Sequence, residues 1–464
     1  MLQLQHDSAV PLVTQITAGF RRLIAERKLA EGMKAPSIRQ FARQHQVSPS
    51  TVVEAYDRLV AEGLLVARQN SGFFVRSSLR GTQGATLRDE TLRNIRFDGR
   101  WLVRRIWEGE SAGIKAGCGW LPEDWLDGEA LRRNLRQIAS KPSKHLASYG
   151  LPKGLEALRW SISDWLGEYE ICAAPESILL TSGANHALAL VARCLVRPGD
   201  IVLVDDPGYS VLSSHLRDCG ARIMGVPWGP QGPDVERLEA LMLTHKPRTF
   251  FTNPRLQNPT GASYSLPIAH RVLQLADRHD LIIVEDDVSS ELDVLQRRSL
   301  ASLDQLHRVI YVGSFSKSIS PALRVGFIAG DAGLMEELTA IKMASGLSSS
   351  ELTERLTLEI LTEGRYRKHL KGLRERLGEA LAHTCHKLAE AGLEPLLTPS
   401  AGMFVWARHP RIQDAGVLSA RAAENGIMLA PGHLFTHEPG PSPWLRFNAA
   451  FCDDPRLYDF LAAA

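Results

Sequence analysis

The chain has 464 residues, 44% of them hydrophobic and 23% charged, with a formal net charge of +2; this is a globular composition at a length that calls for two or three domains. Its six cysteines are scattered without a Cys-x-x-Cys pair, which argues against a disulfide framework or zinc ribbon and fits a reducing cytoplasm. There is no signal-peptide pattern and no apolar run near the ~20 residues of a membrane span. The charge is uneven: residues 1–107 hold 17 Lys/Arg against 9 Asp/Glu, a net of +8, which leaves −6 for the remainder. A basic N-terminal part on an acidic chain is the footprint of a DNA-binding arm, although a solvated basic face looks the same by charge alone.

In chain order, residues 10–27 place Leu12, Ile16, Phe20, Leu23 and Ile24 on one helical face. A shorter helix over 37–45 buries Ile38, Phe41 and Ala42, and a tight turn at Gln46-Val47 follows. Ser48 is a good N-cap with Pro49 at the first helical position. Val52, Val53, Tyr56, Leu59 and Val60 form the apolar face of that third helix, which Gly63 ends. Two β-prone segments, 64–68 and 73–76, are joined by Gln69-Asn70-Ser71-Gly72, a hairpin with turn chemistry. Residues 77–92, polar and glycine-containing, read as a linker. Beyond them, β-type runs at 178–181, 201–204, 222–226, 248–252, 281–285, 309–312 and 325–329 alternate with helical stretches such as 186–196 and 268–279. That rhythm predicts a mostly parallel sheet covered on both faces. Helices dominate from about residue 336, followed by short strands near 403–407, which suggests a smaller C-terminal subdomain. His383, Cys385 and His386 cluster without ligand spacing, and no metal is expected.

Three short helices and a hairpin make a winged helix-turn-helix, whose recognition helix enters the major groove by its N-terminal end. Ser48, Ser50 and Thr51 are hydrogen-bonding groups at that end, and Arg68, Asn70, Ser71 and Gly72 form the wing. Any small three-helix unit shares the bare pattern. The residues go further: Pro36-Ser37-x-Arg39, Val47-Ser48-x-x-Thr51-Val52, Ala55-Tyr56-x-x-Leu59 and Gly72-Phe-Phe-Val75 strongly resemble the GntR-type DNA-binding domain over roughly residues 10–76. The resemblance implies contacts to double-stranded operator DNA from Arg39, Ser50, Thr51 and Gly72; with Ser48 and Asn70 these are the candidate DNA-binding residues. Pro49 stands where many such domains carry arginine. That removes a candidate bidentate guanine reader, worth ~1–3 kcal/mol of discrimination.

The second half carries a different chemistry. Pyridoxal phosphate needs a lysine for its aldehyde, a carboxylate for the pyridine nitrogen, N–H groups and a cation for the phosphate, and an aromatic against the ring. Ser182-Gly183-Ala184-Asn185 follows a strand and opens a helix, a suitable but by itself weak phosphate cradle. Tyr209, in Asp-Pro-Gly-Tyr, is an aromatic after the next strand, or simply core. Asn258, in Asn-Pro-Thr-Gly, offers an amide to the ring O3′. Glu285-Asp286-Asp287 ends a Leu-Ile-Ile-Val strand, where parallel sheets place ligands, though adjacent carboxylates also cap helices. Ser314-Phe-Ser316-Lys317 follows another strand, with Arg324 seven residues on; a serine acyl enzyme would need companion motifs that are absent.

In this order the motifs resemble fold-type I aminotransferases over roughly residues 93–464. The resemblance makes Lys317 the Schiff-base (catalytic) lysine, Asp286 the pyridine partner, Asn258 the O3′ ligand and Tyr209 the stacking ring. Gly183, Ala184, Asn185, Ser314, Ser316 and Arg324 become the phosphate cradle. Tyr149, in Ser-Tyr-Gly-Leu-Pro-Lys-Gly, is implied to reach the phosphate of a neighbouring subunit, and Arg446, in Leu-Arg-Phe-Asn, to clamp the effector carboxylate through its planar fork.

A GntR head on such a domain resembles the MocR family of regulators from end to end. The expected organisation is a winged helix-turn-helix over 1–76, a linker over 77–92 and a fold-type I aminotransferase-like α/β domain over 93–464. Within the last, the large subdomain spans about 150–335 and the small α+β subdomain about 336–464. The resemblance implies a cytoplasmic homodimer, nucleoid-associated when on DNA, that controls transcription in response to an amino acid or vitamin B6-related effector through aldimine exchange at Lys317. A working aminotransferase with an accessory DNA-binding domain is the alternative, and a sensor of pyridoxal phosphate alone is disfavoured by Arg446. One departure bears on turnover. Fold-type I aminotransferases usually place a tyrosine two or three residues after the pyridine aspartate, and here those positions are Val288 and Ser289; slow or absent transamination is expected.

Overall fold

The computed structural model describes residues 4–5, 8, 10–25, 28–30, 32–68, 72–75, 113–140, 149–437 and 440–464. The expected linker and Asn70 lie outside them. The chain divides into two compact units, Met1–Ile95 and Arg96–Ala464.

In the first unit, α1 (Leu12–Ala25), α2 (Ile38–His45) and α3 (Pro49–Ala61) precede β1 (Leu65–Arg68) and β2 (Gly72–Val75), an antiparallel pair that sets Leu65 opposite Val75 and Arg68 opposite Gly72. Caps fix the helix starts. Ser37 accepts from Gln40 N at 3.2 Å, and Ser48 accepts from Thr51 N at 3.1 Å. Gln46 takes the left-handed conformation (φ 51°) that ends α2 and turns the chain into α3. Ile16, Phe20, Phe41, Val52, Tyr56 and Leu59 form the core. The Tyr56 ring meets Phe20 edge-on at 5.3 Å, and its hydroxyl donates to Pro36 O at 2.9 Å. Val53, expected on the apolar face, is instead exposed: the 3.6-residue period carries Val52, Tyr56 and Leu59 inward and turns Val53 away.

The second unit is built on an eight-stranded sheet. Its strands are β3 (Ile178–Thr181), β4 (Ile201–Asp206), β5 (Arg222–Gly229), β6 (Gly232–Pro233), β7 (Thr249–Thr252), β8 (Ile282–Asp286), β9 (Val309–Ser314) and β10 (Gly326–Ala329), in the order β3-β10-β9-β8-β7-β4-β5-β6. From β9 to β5 neighbours are parallel, while β10 runs antiparallel between β3 and β9. The central strands β7 and β9 are buried along their whole length, which is why they read as continuous apolar runs rather than alternating ones. Apolar clusters lie on both faces: one around Leu180, Phe250, Ile283 and Tyr311, the other around Val204, Phe251, Val284 and Val312.

A smaller sheet joins β11 (Glu394–Pro395), β12 (Phe404–Arg408), β14 (Trp444–Asn448) and β13 (Ala430–Pro431) in that order. Its core takes in Leu381, Leu388, Val405, Leu445 and Phe447, and also Ile114 and Ala116, with Ile114 bridging to Ile427. The first described segment of this unit thus packs with its last third. The helices Ala332–Gly346 and Glu351–Thr362 pack against the large sheet, so the change of core lies well beyond residue 335, within the long helix Tyr366–Glu390. Sequence alone marks where helices begin to dominate, not which sheet they cover.

Candidate functional site

The C-terminal ends of β4, β7, β8 and β9 deliver one residue set to one place, as parallel sheets do. Asp286 ends β8, is buried, and its Oδ1 has no hydrogen-bond partner among the described residues. Burial first, and the neighbouring Asp287 charge second, push its carboxyl up to about 7. Lys317 follows β9 and is held down to about 8 by burial and by the Arg446 charge, with Asp286 pulling the other way. Its Nζ donates to Gly119 O. Tyr209 follows β4; burial and the Asp286 charge push its hydroxyl up to about 12, and with Asp286, Asn253 and His437 it lines one pocket.

The phosphate-cradle candidates gather at the start of the helix Ala184–Leu195. Gly183 has φ 86°, and a Cβ there would lie 2.6 Å from Arg324 Nη2, so glycine is what lets the guanidinium approach. Arg324 donates to Ser182 O at 3.3 Å. The first-turn N–H groups of Ala184 and Asn185 have no partner within their helix. Ser314 Oγ donates to Ser316 Oγ at 3.0 Å. Asn185 Oδ1 meets His215 Nε2 at 2.9 Å.

Arg446, on β14, is 5% exposed and has no acidic partner among the described residues: Nη1 donates to Asn258 Oδ1 and Nη2 to Gly117 O, both at 2.7 Å. Its Nε is buried and also meets no partner among them. Phe404 and Phe435 flank the guanidinium at 4.6 and 4.7 Å. Burial lowers its pKa to about 10. A buried guanidinium with neutral partners beside a lysine has the chemistry to receive a carboxylate.

Lys317, Asp286, Tyr209, Asn258, Arg446, Arg324 and the Gly183 turn therefore converge. Tyr149 does not join them within one chain: it is 85% exposed. Val288 packs into an apolar cluster, and Ser289 is buried. Sequence reasoning missed Gly117 and Gly119, whose carbonyls face Arg446 and Lys317, and also Phe404, Phe435, Asn253 and the buried pair Arg255–Asp287. No local signal marks Gly117, Gly119, Asn253 or Arg255, because each of these contacts joins positions distant in sequence.

The residues suit pyridoxal phosphate. The orphaned Asp286 oxygen has the place and chemistry to accept from a pyridinium N–H, the Gly183 turn with Arg324 suits a phosphate, and Lys317 is half-buried nearby.

On the first unit, Arg39, Ser48, Ser50 and Gly72 are exposed and Thr51 is half-buried. Ser48 Oγ lies 2.8 Å from Ser50 Oγ and 2.7 Å from Thr51 Oγ1, so its hydroxyl serves as the cap of α3.

Residues 125–463 match the family model for class I and II aminotransferases, and residues 12–75 that for bacterial regulatory proteins of the gntR family. The probable rhizopine catabolism regulatory protein MocR of Rhizobium meliloti is 30% identical over 95% of this chain and 90% of its own length. The chain belongs to the MocR-type regulators. It joins a gntR-family head to a domain of the class I and II aminotransferase family. The 2-aminoadipate transaminase of Thermus thermophilus is 34% identical over 74% of this chain and 86% of its own. Among solved structures, Thermus thermophilus LysN, an α-aminoadipate aminotransferase complexed with N-(5′-phosphopyridoxyl)-L-leucine, is 29% identical with a TM-score of 0.71, covering 78% of this chain and 92% of that one. The MocR-type regulator thus shares the aminotransferase fold, and no helix among its described residues is long and apolar enough to cross a membrane.

Proposed function

We infer that this MocR-type regulator is a pyridoxal phosphate-dependent transcription regulator that reads a DNA operator and senses an amino acid or related amine. The observation that carries the reading is the unpartnered Oδ1 of buried Asp286, facing the same site as Lys317 and Arg446, on a chain with a gntR-family head. Pyridoxal phosphate supplies an aldehyde that condenses with primary amines and a ring that withdraws electrons.

Lys317 is the group that holds the cofactor covalently, and its lowered pKa keeps part of the amine neutral and nucleophilic near pH 8. Asp286 would hold the pyridine proton. Asn258 would donate to O3′ through its Nδ2, because its Oδ1 is turned onto Arg446. Tyr209 would stack on the ring, and Arg324, Ser314, Ser316 and the N–H groups of Gly183, Ala184 and Asn185 would hold the phosphate. Arg446 receives the effector carboxylate in exchange for the Gly117 carbonyl.

The domain limits follow the same reading: a head over 1–76, a linker over 77–92 and the cofactor domain over 93–464. Arg39, Ser50, Thr51 and Gly72 face DNA, with Ser48 holding the recognition helix in shape and Asn70 at the wing. The chain works as a cytoplasmic homodimer, on the nucleoid when bound to DNA. Exposed Tyr149, Leu151, Met343 and Leu347 supply apolar surface for the second copy, and residue 150 packs on 349–351.

The test is borohydride reduction of protein loaded with pyridoxal phosphate, followed by peptide mass mapping, together with footprinting on upstream DNA. A pyridoxyl mass on Lys317, absent in Lys317→Ala, and a protected operator are expected. Wild-type protein that takes up no pyridoxyl group refutes the cofactor assignment; failure to bind any upstream DNA refutes the regulator.

A further inference from the structure

Asn253 lies just beyond β7, is 6% exposed, and every polar atom of its side chain is used. Its Nδ2 donates to Asp286 O at 2.5 Å and to Arg255 O at 3.3 Å. Its Oδ1 accepts from Asn258 N at 2.7 Å. Its backbone N–H donates to Asp205 Oδ2 at 2.7 Å. Asn258 in turn accepts from Arg446 Nη1 at 2.7 Å. One carboxamide therefore joins the strand end that carries Asp286 to the turn that carries Asn258, and through Asn258 to the arginine that faces a carboxylate. A serine hydroxyl, though it can both donate and accept, is one atom shorter and lacks the two separate atoms that meet the two ends here, and an apolar residue of the same size serves neither, leaving the Asp286 carbonyl and the Asn258 N–H without this partner.

We infer that Asn253 is a positioning residue that couples the carboxylate clamp to the seat of the pyridine ring, so that occupancy at Arg446 is felt at Asp286 and the reverse. The inference rests on the pyridoxal phosphate reading of the site. The coupling is a free energy shared by two sites and must act in both directions.

The test uses full-length protein, with pyridoxal phosphate and maleate, a carboxylate without an amine, as probes. Maleate at Arg446 neutralises a cation that lowers the Lys317 pKa, so it is read as an upward shift in the pH titration of the cofactor's visible band. In Asn253→Leu, pyridoxal phosphate should bind about tenfold more weakly and half-saturation should need about tenfold more maleate. Asn258→Ala should weaken maleate, and the double variant should be no weaker for maleate than the worse single one, since both act on one link. Asn253→Ser, milder in volume, gives the same pair of readings should the leucine variant fail to fold. Melting temperature alone changing, with both affinities as in wild type, overturns the inference; so does full additivity of the two substitutions. A wild-type chain that takes up no pyridoxal phosphate refutes the reading of the site itself, a separate result visible before any variant is made.

Discussion

Replacing Arg255 by methionine should destabilise the second unit by about 3–5 kcal/mol, the range for removing one side of a buried ion pair. The Arg255 and Asp287 side chains are 2% and 0% exposed. Arg255 Nε reaches both Asp287 oxygens at 3.1 Å, and Nη1 donates to Arg297 O at 2.6 Å. Fully buried Glu285 is close by, accepting from Leu300 N at 3.1 Å and Ala301 N at 2.7 Å. Burial and the Asp287 charge push Glu285 up to about 8, with Arg255 opposing them; burial raises Asp287 as well, against the same guanidinium. Methionine fills much of the volume but leaves both acids without their cation. An acid whose folded pKa lies above its unfolded one gives stability below the unfolded value and loses it as pH rises through the folded value. Because Arg255 opposes both shifts, its removal raises the folded values further, and the loss relative to wild type should grow as pH rises toward and through about 8. At roughly 2 °C per kcal/mol, the melting temperature should fall by ~6–10 °C at pH 8 and by less at pH 5. Replacing Asp287 by leucine in the same protein should recover most of the loss, because apolar pairs often match buried ion pairs. A single variant that melts like wild type at both pH values, or that loses more at pH 5, would refute the argument.

The remaining expectations are briefer. Arg39→Ala and Thr51→Ala should each weaken operator binding in gel-shift titrations, and affinity should fall steeply with salt because phosphate contacts release counterions; unchanged binding in both variants would misplace the recognition surface. Ser48→Ala should lower the stability of the head by ~1 kcal/mol, the usual value of a lost N-cap, seen as an earlier melting transition of the DNA-binding unit. Gly183→Ala should weaken pyridoxal phosphate binding in an absorbance titration, since the added Cβ would lie 2.6 Å from Arg324 Nη2 at a φ of 86°. Val288→Tyr should speed conversion of the cofactor to its amine form in stopped-flow spectra by ~10²–10³-fold if the missing donor is worth ~2.7–4 kcal/mol; an unchanged rate would remove position 288 from the explanation of slow turnover.

Much of this architecture was legible because period and punctuation agreed. The helix starts at Ser37 and Ser48, the stop at Gly63 and the buried strands around Phe250 and Val312 all followed from local rules. The converging site was legible because Gly183, Asp286 and Lys317 each sit at a strand end, and strand ends of a parallel sheet meet at one edge. What escaped depends on contacts distant in sequence. Asn253 and Arg255 look like ordinary turn residues until Asp286 and Asp287 are placed 33 and 32 positions away. Gly117 faces Arg446 across 329 positions, and nothing local marks it. Val53 went astray because it sits at the edge of the apolar face set by Val52, Ala55, Tyr56 and Leu59, and only packing decides whether an edge position is covered.

The same site explains why a regulator would keep an aminotransferase fold without relying on its turnover. Groups that bind an amino acid and groups that accelerate its chemistry are separable, because only interactions stronger in the transition state raise the rate. On the proposed reading Arg446, Asn258, Asp286 and Arg324 are binding groups, and they sit together in this chain. Two and three residues after Asp286, where the resemblance to enzymes of this fold leads to the expectation of a tyrosine, stand Val288, packed into the apolar cluster of Val204 and Val284, and buried Ser289. A sensor gains from the absence of that tyrosine. Each turnover would destroy the signal being read, whereas a ligand held without reacting keeps the protein in its bound state for as long as the effector is present. The binding residues can thus be retained while the tyrosine donor is absent. The difference is measurable as retained amino-acid affinity with a slowed half-reaction, and a half-reaction at ordinary enzyme rates of ~1–10³ s⁻¹ would instead make the chain a working aminotransferase.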